Sequence, residues 1–253
     1  MKLNKANYFT KANTYVSSSK LSCFLRDKNL YKRKYIDWSV AQEKTDALII
    51  GSAVDCLLTG TKAKFNKEFV IVDRRSSKSE DTRMQVNPTM LDKINGIVAS
   101  VKRQDIWKSL KTKDFKKQVI LTDDDLGICG MLDLLSVNGD HAIIVDLKTA
   151  NTIDPRKYYW HAFEYGYYRQ FGFYKTLVLK NYPEVKRVDC YHLAVEKDPD
   201  ELYDCAVFQF DSGMIDNAIE VMKGDLQELR RETVFAPKSV GWKDKILISP
   251  IQQ

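Results

Sequence analysis

Histidine and cysteine are scarce in this chain, and their scarcity narrows its chemistry. There are 3 histidines and 5 cysteines among 253 residues. Cys23, Cys56, Cys129, Cys190 and Cys205 lie far apart and form no C-x-x-C. A disulfide framework, a zinc ribbon and a four-cysteine iron–sulfur cluster are therefore excluded. His141, His161 and His192 form no H-E-x-x-H pair, so any metal site must be built mainly from carboxylates. Apolar runs are short as well. The longest, residues 47–51 (ALIIG), falls far below the ~20 residues that span a bilayer. Residues 1–8 (MKLNKANY) are polar and make no basic-then-apolar signal peptide, so a soluble, intracellular protein without a membrane partner is expected. No G-x-x-x-x-G-K-[ST] is present, which removes phosphate-loop nucleotide hydrolysis. The charge excess is small: 40 Lys+Arg against 34 Asp+Glu give +6, compatible with a polyanionic partner without requiring one.

With 44% apolar and 29% charged residues, the chain can bury a substantial core. Ser17-Ser18-Ser19 can cap a helix carrying Leu21 and Phe24 on one face. A second helical pattern runs over residues 41–58, a short strand over 69–72, and a polar basic loop over 74–79, which serves either as a solvated loop or as a phosphate-contacting arm through Arg74, Arg75 and Lys78. Pro88 opens a helix to about residue 102 with Leu91, Ile94 and Val98 as its buried stripe. Strands follow at 118–121, 128–137 and 141–148, the last two joined at Asn138-Gly139, a strong two-residue hairpin signal. Then come about 25 helical, aromatic-rich residues after Pro155, strands at 185–195 and 203–210, a helix from Asp211 to about 231, and irregular chain to 253. An antiparallel meander flanked by helices predicts an α/β (α+β) fold in one domain: a helical part at about 1–60, a core at about 61–232 and a tail at about 233–253.

Taking Asn138-Gly139 as the loop pairs residues whose numbers sum to 277. Asp133 then faces Ile144, and Asp146 is its diagonal neighbour roughly 7–8 Å away. Period-two alternation puts Asp133, Asp146 and Lys148 on one face. Two carboxylates beside buried strand positions repel unless a cation neutralises them, and Mg²⁺ with Lys148 would do so. The same residues could equally form a strand-end ion pair beside a solvated acid. Most of the aromatics between Tyr158 and Phe173 are expected in the core, with one or two free to stack on a nucleotide.

G-x-L-D (Gly130 to Asp133) followed by D-L-K (Asp146 to Lys148) resembles the PD-(D/E)xK nuclease motif. Gln170 and Tyr174 in YYRQFGFYKTL resemble the Q-x-x-x-Y motif of the RecB- and RecE-like branch, and IIGSAVDCLLTG resembles its G-x-x-x-H segment. The opening YVSSSKLSCFLRD and the segment order resemble the exonuclease VIII type of phage and prophage nucleases over most of residues 15–232. Asp55 stands where many relatives carry histidine, and Gln118 near where some carry glutamate. The resemblance implies a restriction-endonuclease-like core with a central mixed sheet. It further implies a Mg²⁺-dependent (or Mn²⁺-dependent) exonuclease of the bacterial host cytoplasm that resects double-stranded DNA ends 5′ to 3′ for recombination. Under it, Asp133, Asp146 and the Leu147 carbonyl hold one ion, Asp55 holds or orients a second, Lys148 serves the attacking water, and Gln170 and Tyr174 position these groups. Arg156, Lys157 and Arg169 would contact the DNA backbone. A homo-oligomer and a single-strand annealing recombinase partner are implied too. A structure- or sequence-specific endonuclease and a catalytically silent DNA-binding module are the alternatives.

Overall fold

The structure, a computed structural model, describes residues 3–40, 45–76, 81–112, 114–197 and 203–232. Lys78, part of the second helical pattern (41–44) and the tail lie outside them. Serine, threonine, asparagine and aspartate caps set most of the helix starts. Ser17 accepts from the Lys20 N–H and opens α1 (Ser18–Arg26). A short α2 (Lys28–Tyr31) runs into a π-helical turn, Lys32–Ile36. Thr45 caps α3 (Asp46–Thr59) and Thr61 caps α4 (Lys62–Glu68). The short strands β1 (Phe69–Ile71) and β2 (Met84–Val86) pair in parallel. Asn87 and an N-terminal proline start α5 (Pro88–Arg103), and α6 (Asp105–Thr112) follows. In α5 the buried residues include Ile94 and Val98 as expected, but Met90 and not Leu91 begins the stripe.

The central sheet has the order β3 (Lys116–Asp123), β4 (Ile128–Asn138), β5 (His141–Ala150), β6 (Arg187–Glu196) and β7 (Cys205–Phe210). β5 and β6 are parallel and the other pairs antiparallel, so the sheet is mixed. A parallel neighbour requires a crossover, supplied by α7 (Pro155–Glu164) and α8 (Tyr167–Asn181). The expected single helix breaks at Gly166, whose φ is +68°, a left-handed conformation that glycine adopts without strain. α9 (Ser212–Arg231) follows the Asp211 cap. Each face of the sheet carries a core. Leu21, Phe24, Phe171, Leu177 and Met222 pack on one side, and Ile49, Val54, Ile94, Ile97 and Trp107 on the other. No helix of the described residues is long and apolar enough to cross a membrane.

The β4–β5 hairpin departs from the expected register. Asn138 pairs with His141, so the loop is Gly139-Asp140 and paired numbers sum to 279. The Asn-Gly loop would place Asn138 at positive φ. Among non-glycine described residues only Trp38, Gln118 and Tyr203 are there, whereas Gly139 has φ +58°. The chain thus takes the glycine-first loop. A shift of two keeps the parity of β5 and brings Asp133 level with Asp146.

Candidate active site

The expected common strand face is not how the two aspartates meet. The β4–β5 ladder ends at Leu134 and Val145, and the strands part beyond it. Alternation slips at Asp133: Leu132 and Leu135 lie in one core and Leu134 in the other. Across β3, Gln118 is the one position skipped between the Lys117–Leu134 and Val119–Leu132 pairs, and its φ is +49°. Strained backbone of this kind persists where the surrounding structure holds it, often at functional sites. In the gap, the Leu147 N–H donates to Asp133 Oδ2 at 2.8 Å in place of a ladder carbonyl. The carboxylates converge through this fork.

Asp146 is buried, with 2% of its surface exposed. Lys148 Nζ lies 2.6 Å from its Oδ2 and donates to Gln170 Oε1 at 3.1 Å. Gln170 Nε2 reaches both Asp146 Oδ1 (2.9 Å) and Tyr174 Oη (2.8 Å). Tyr174 Oη in turn donates to the Met131 carbonyl at 3.1 Å. Residues four apart share a helix face, so α8 presents Gln170 and Tyr174 together to the ends of β4 and β5. The Lys148 ammonium also sits 5.1 Å from the centre of the Tyr167 ring. One cavity of about 480 Å³ is lined by Asp55, Asp133, Asp146, Leu147, Lys148 and Gln170, among others. Lys148, Gln170 and Tyr174 also line a second hollow of about 440 Å³ beside the serines of α1.

The glycine of G-x-L-D has a packing reason. A Cβ on Gly130 would stand 2.8 Å from Leu177 Cδ1 and 3.1 Å from Tyr174 Cδ1, so α8 can lie against β4 only over a bare backbone. Gly130→Val is expected to destabilise the protein by about 1–3 kcal/mol and to push Tyr174 off Met131. Urea unfolding checks the first effect. An unchanged midpoint would show that α8 yields freely.

Asp55, on α3, has both oxygens engaged: Gln118 Nε2 donates to Oδ2 at 2.7 Å and Thr59 Oγ1 to Oδ1 at 3.0 Å. Gln118 also accepts from Lys64 (2.8 Å) and Lys5 (3.1 Å). Gln118 therefore stands as the polar partner of Asp55, a role its sequence position did not reveal. Burial raises the carboxyl pKa of Asp55, partly offset by the Thr59 and Gln118 hydrogen bonds. Burial, then Asp146 and Asp55, push Asp133 well above the ordinary carboxylate range. Burial works against the Lys148 charge, but Asp146 and Asp133 outweigh it and hold the ammonium above its usual pKa.

Among the described residues no three His, Cys, Asp or Glu side chains stand close enough to form a ready-made metal cluster. The donor set nevertheless fits one hard divalent ion. Asp146 raises the cost of ionising Asp133, and Asp146 Oδ2 is buried without a hydrogen-bond partner despite the nearby ammonium. An ion that takes a few carboxylate oxygens and fills its other positions with water and phosphate relieves both.

The basic candidates are dispersed. Arg75 pairs with Asp46, and Arg169 lies 3.7 Å from Asp225 and donates to Ser22. Arg74, Arg156 and Lys157 are exposed. The aromatic stretch is less buried than expected: Tyr158, Phe171 and Phe173 are core, but Tyr159, Trp160, Phe163 and Tyr165 are exposed. The cause is that α7 buries only Tyr158 and Ala162. Sequence reasoning also missed His192, fully buried beside Asp146. Only the parallel β5–β6 register brings it there.

Residues 17–241 match the model of a family described as a PDDEXK-like domain of unknown function (DUF3799). No curated protein matches the sequence. Among solved structures, a crystal structure of a "Putative exonuclease" from Eubacterium rectale is similar, with a TM-score of 0.70 at 18% identity, covering 100% of this chain and 97% of that one. The five-stranded mixed sheet flanked by helices is thus a restriction-endonuclease-like fold.

Proposed function

The chain belongs to the PDDEXK-like family DUF3799, and on that premise we propose that it is a divalent-metal-dependent deoxyribonuclease, an exonuclease that resects double-stranded DNA ends 5′ to 3′. The observation that carries this reading is the meeting of Asp133, Asp146, Lys148, Gln170 and Tyr174 around one cavity. Asp133 and Asp146 would hold Mg²⁺ or Mn²⁺, with the Leu147 carbonyl as a further ligand and Asp55 available for a second ion. The bound ion supplies Lewis-acid polarisation of the phosphate and a more acidic water.

The chain's own side chains do the rest. Lys148, held protonated by Asp146 and Asp133, orients the attacking water and stabilises charge developing on the phosphoryl oxygens. Gln170 bridges Lys148 and Asp146 and fixes their spacing. Tyr174 anchors Gln170 to β4 through the Met131 carbonyl. The net charge of +6 and the exposed Arg74, Arg156 and Lys157 suit a polyanion. The similar Eubacterium rectale protein is described as an exonuclease, which favours an exonuclease over an endonuclease. Polarity, a homo-oligomeric assembly and service to a single-strand annealing recombinase rest on the resemblance of the motifs. So does its place in the cytoplasm of a phage- or prophage-bearing host, while the reading of the chain as one domain rests on the pattern of strands and helices along the sequence.

End-labelled linear duplex and closed circular DNA, each with Mg²⁺ and with chelator, test the proposal. The expected result is loss of the 5′ label first, an intact circle and no reaction in chelator. Nicking of the circle would replace the exonuclease with an endonuclease. No cleavage with any divalent ion would overturn the enzyme reading.

A further inference from the structure

The parallel register of β5 and β6 pairs Asp146 with His192, and the imidazole has no exposed surface. Its Nδ1 lies 2.7 Å from Tyr158 Oη. Its Nε2 has no hydrogen-bond partner and stands 3.6 Å from Asp146 Oδ2. Rings surround it: Phe210 at 4.6 Å, Tyr167 at 4.7 Å and Phe171 at 4.9 Å between centroids. A neutral imidazole carries a hydrogen on one nitrogen and accepts at the other.

The surroundings choose between the tautomers. Burial holds the Tyr158 phenol protonated, so it can donate to Nδ1. Nε2 then carries the hydrogen and directs it at a carboxylate oxygen. In the other tautomer the Nε2 lone pair would face that carboxylate in a dry cage, which is repulsive. The 3.6 Å gap is too long for a hydrogen bond. It is short enough for the N–H dipole to attract that oxygen and to resist rotation of Asp146 away from the cavity.

We propose that Tyr158 and His192 form a positioning pair that fixes Asp146 as a metal ligand, with Tyr158 setting the tautomer and His192 bracing Oδ2 from behind. The pair rests on the nuclease reading, because only an ion held by Asp146 gives the bracing a purpose. Outer partners of ligating groups typically contribute 10–100-fold to metal affinity.

Mn²⁺ titration calorimetry on the full chain, without DNA, tests it. Tyr158→Phe keeps the ring stacked on Phe208, now 4.1 Å away at 7°, and removes only the hydroxyl. It is expected to bind Mn²⁺ about tenfold more weakly. His192→Leu should lose at least as much, and His192→Gln, which keeps an N–H at that reach, should recover most of the affinity. Binding of duplex DNA in chelator should be unchanged in all three. If the native chain binds Mn²⁺ and Tyr158→Phe matches it within twofold, the positioning pair is wrong while the nuclease reading stands. If the native chain binds no Mn²⁺, both fall. If His192→Leu does not fold, Tyr158→Phe decides alone.

Discussion

Replacing Lys148 with alanine is expected to slow cleavage of duplex ends by at least about 10²–10³-fold, the loss seen when one preorganised donor to a developing oxyanion is removed. DNA affinity in chelator should stay within a few fold. The expectation follows from where the ammonium sits: 2.6 Å from the buried Asp146 Oδ2 and 3.1 Å from Gln170 Oε1. There it plays two separable parts. Before an ion binds, it neutralises Asp146. During reaction, it faces the charge that builds on the phosphoryl group. An ion can take over the first part but not the second. The informative measurement is therefore single-turnover cleavage by Lys148→Ala across a Mg²⁺ range reaching well above saturation for the native protein. A deficit that persists at saturation assigns Lys148 to the chemistry. Recovery to near-native rates would reduce it to a counter-ion for Asp146.

Much of this arrangement was legible in the residues, and what was not has a physical cause. Local signals worked where local physics decides. Ser17, Pro88 and Asp211 start helices where the sequence predicts, and the structure adds Asn87 as the cap before Pro88. Asp146 and Lys148 fall on one strand two residues apart, and Gln170 and Tyr174 four apart on one helix. Failures came where a position depends on partners distant in sequence. Asn138-Gly139 is the favoured loop by local propensity, yet the chain turns at Gly139-Asp140. The slip at Asp133 needs the strained Gln118 across from it, a pairing no window of sequence contains. His192 belongs to the site only because β6 runs parallel to β5, and the exposed rings of α7 reflect that helix's limited contact with the core. Chemistry-bearing residue types announce themselves; the hydrogen bonds that orient them come from the tertiary fold.

Asp133→Asn should separate stability from function. It is expected to abolish cleavage yet raise the melting temperature of the ion-free protein at pH 7. In the fold the Asp133 carboxyl is held well above the ordinary range by burial, by Asp146 and by Asp55, whereas in the unfolded chain it titrates near about 3.9. A carboxyl whose folded pKa is raised binds its proton more tightly when folded. Stability is therefore full below the unfolded value and is lost as pH climbs through the folded one. At neutral pH the native chain carries that cost; asparagine imitates the protonated group without it and keeps an oxygen to accept the Leu147 N–H. The gain in melting temperature should be about 2–4 °C for each kcal/mol of repulsion removed in a chain of this size, and the gap between the two proteins should close as pH is lowered toward 4. Mn²⁺ should then reverse the order. An ion that binds only the folded native site adds about 2.7 kcal/mol at a hundredfold excess over its Kd, while the asparagine variant gains little. Scanning calorimetry of both proteins, with Mn²⁺ and with chelator, reads all of this. A lower melting temperature for the variant in chelator would mean that Asp133 is a net structural support, and the case for a carboxylate strained in wait for a cation would go with it.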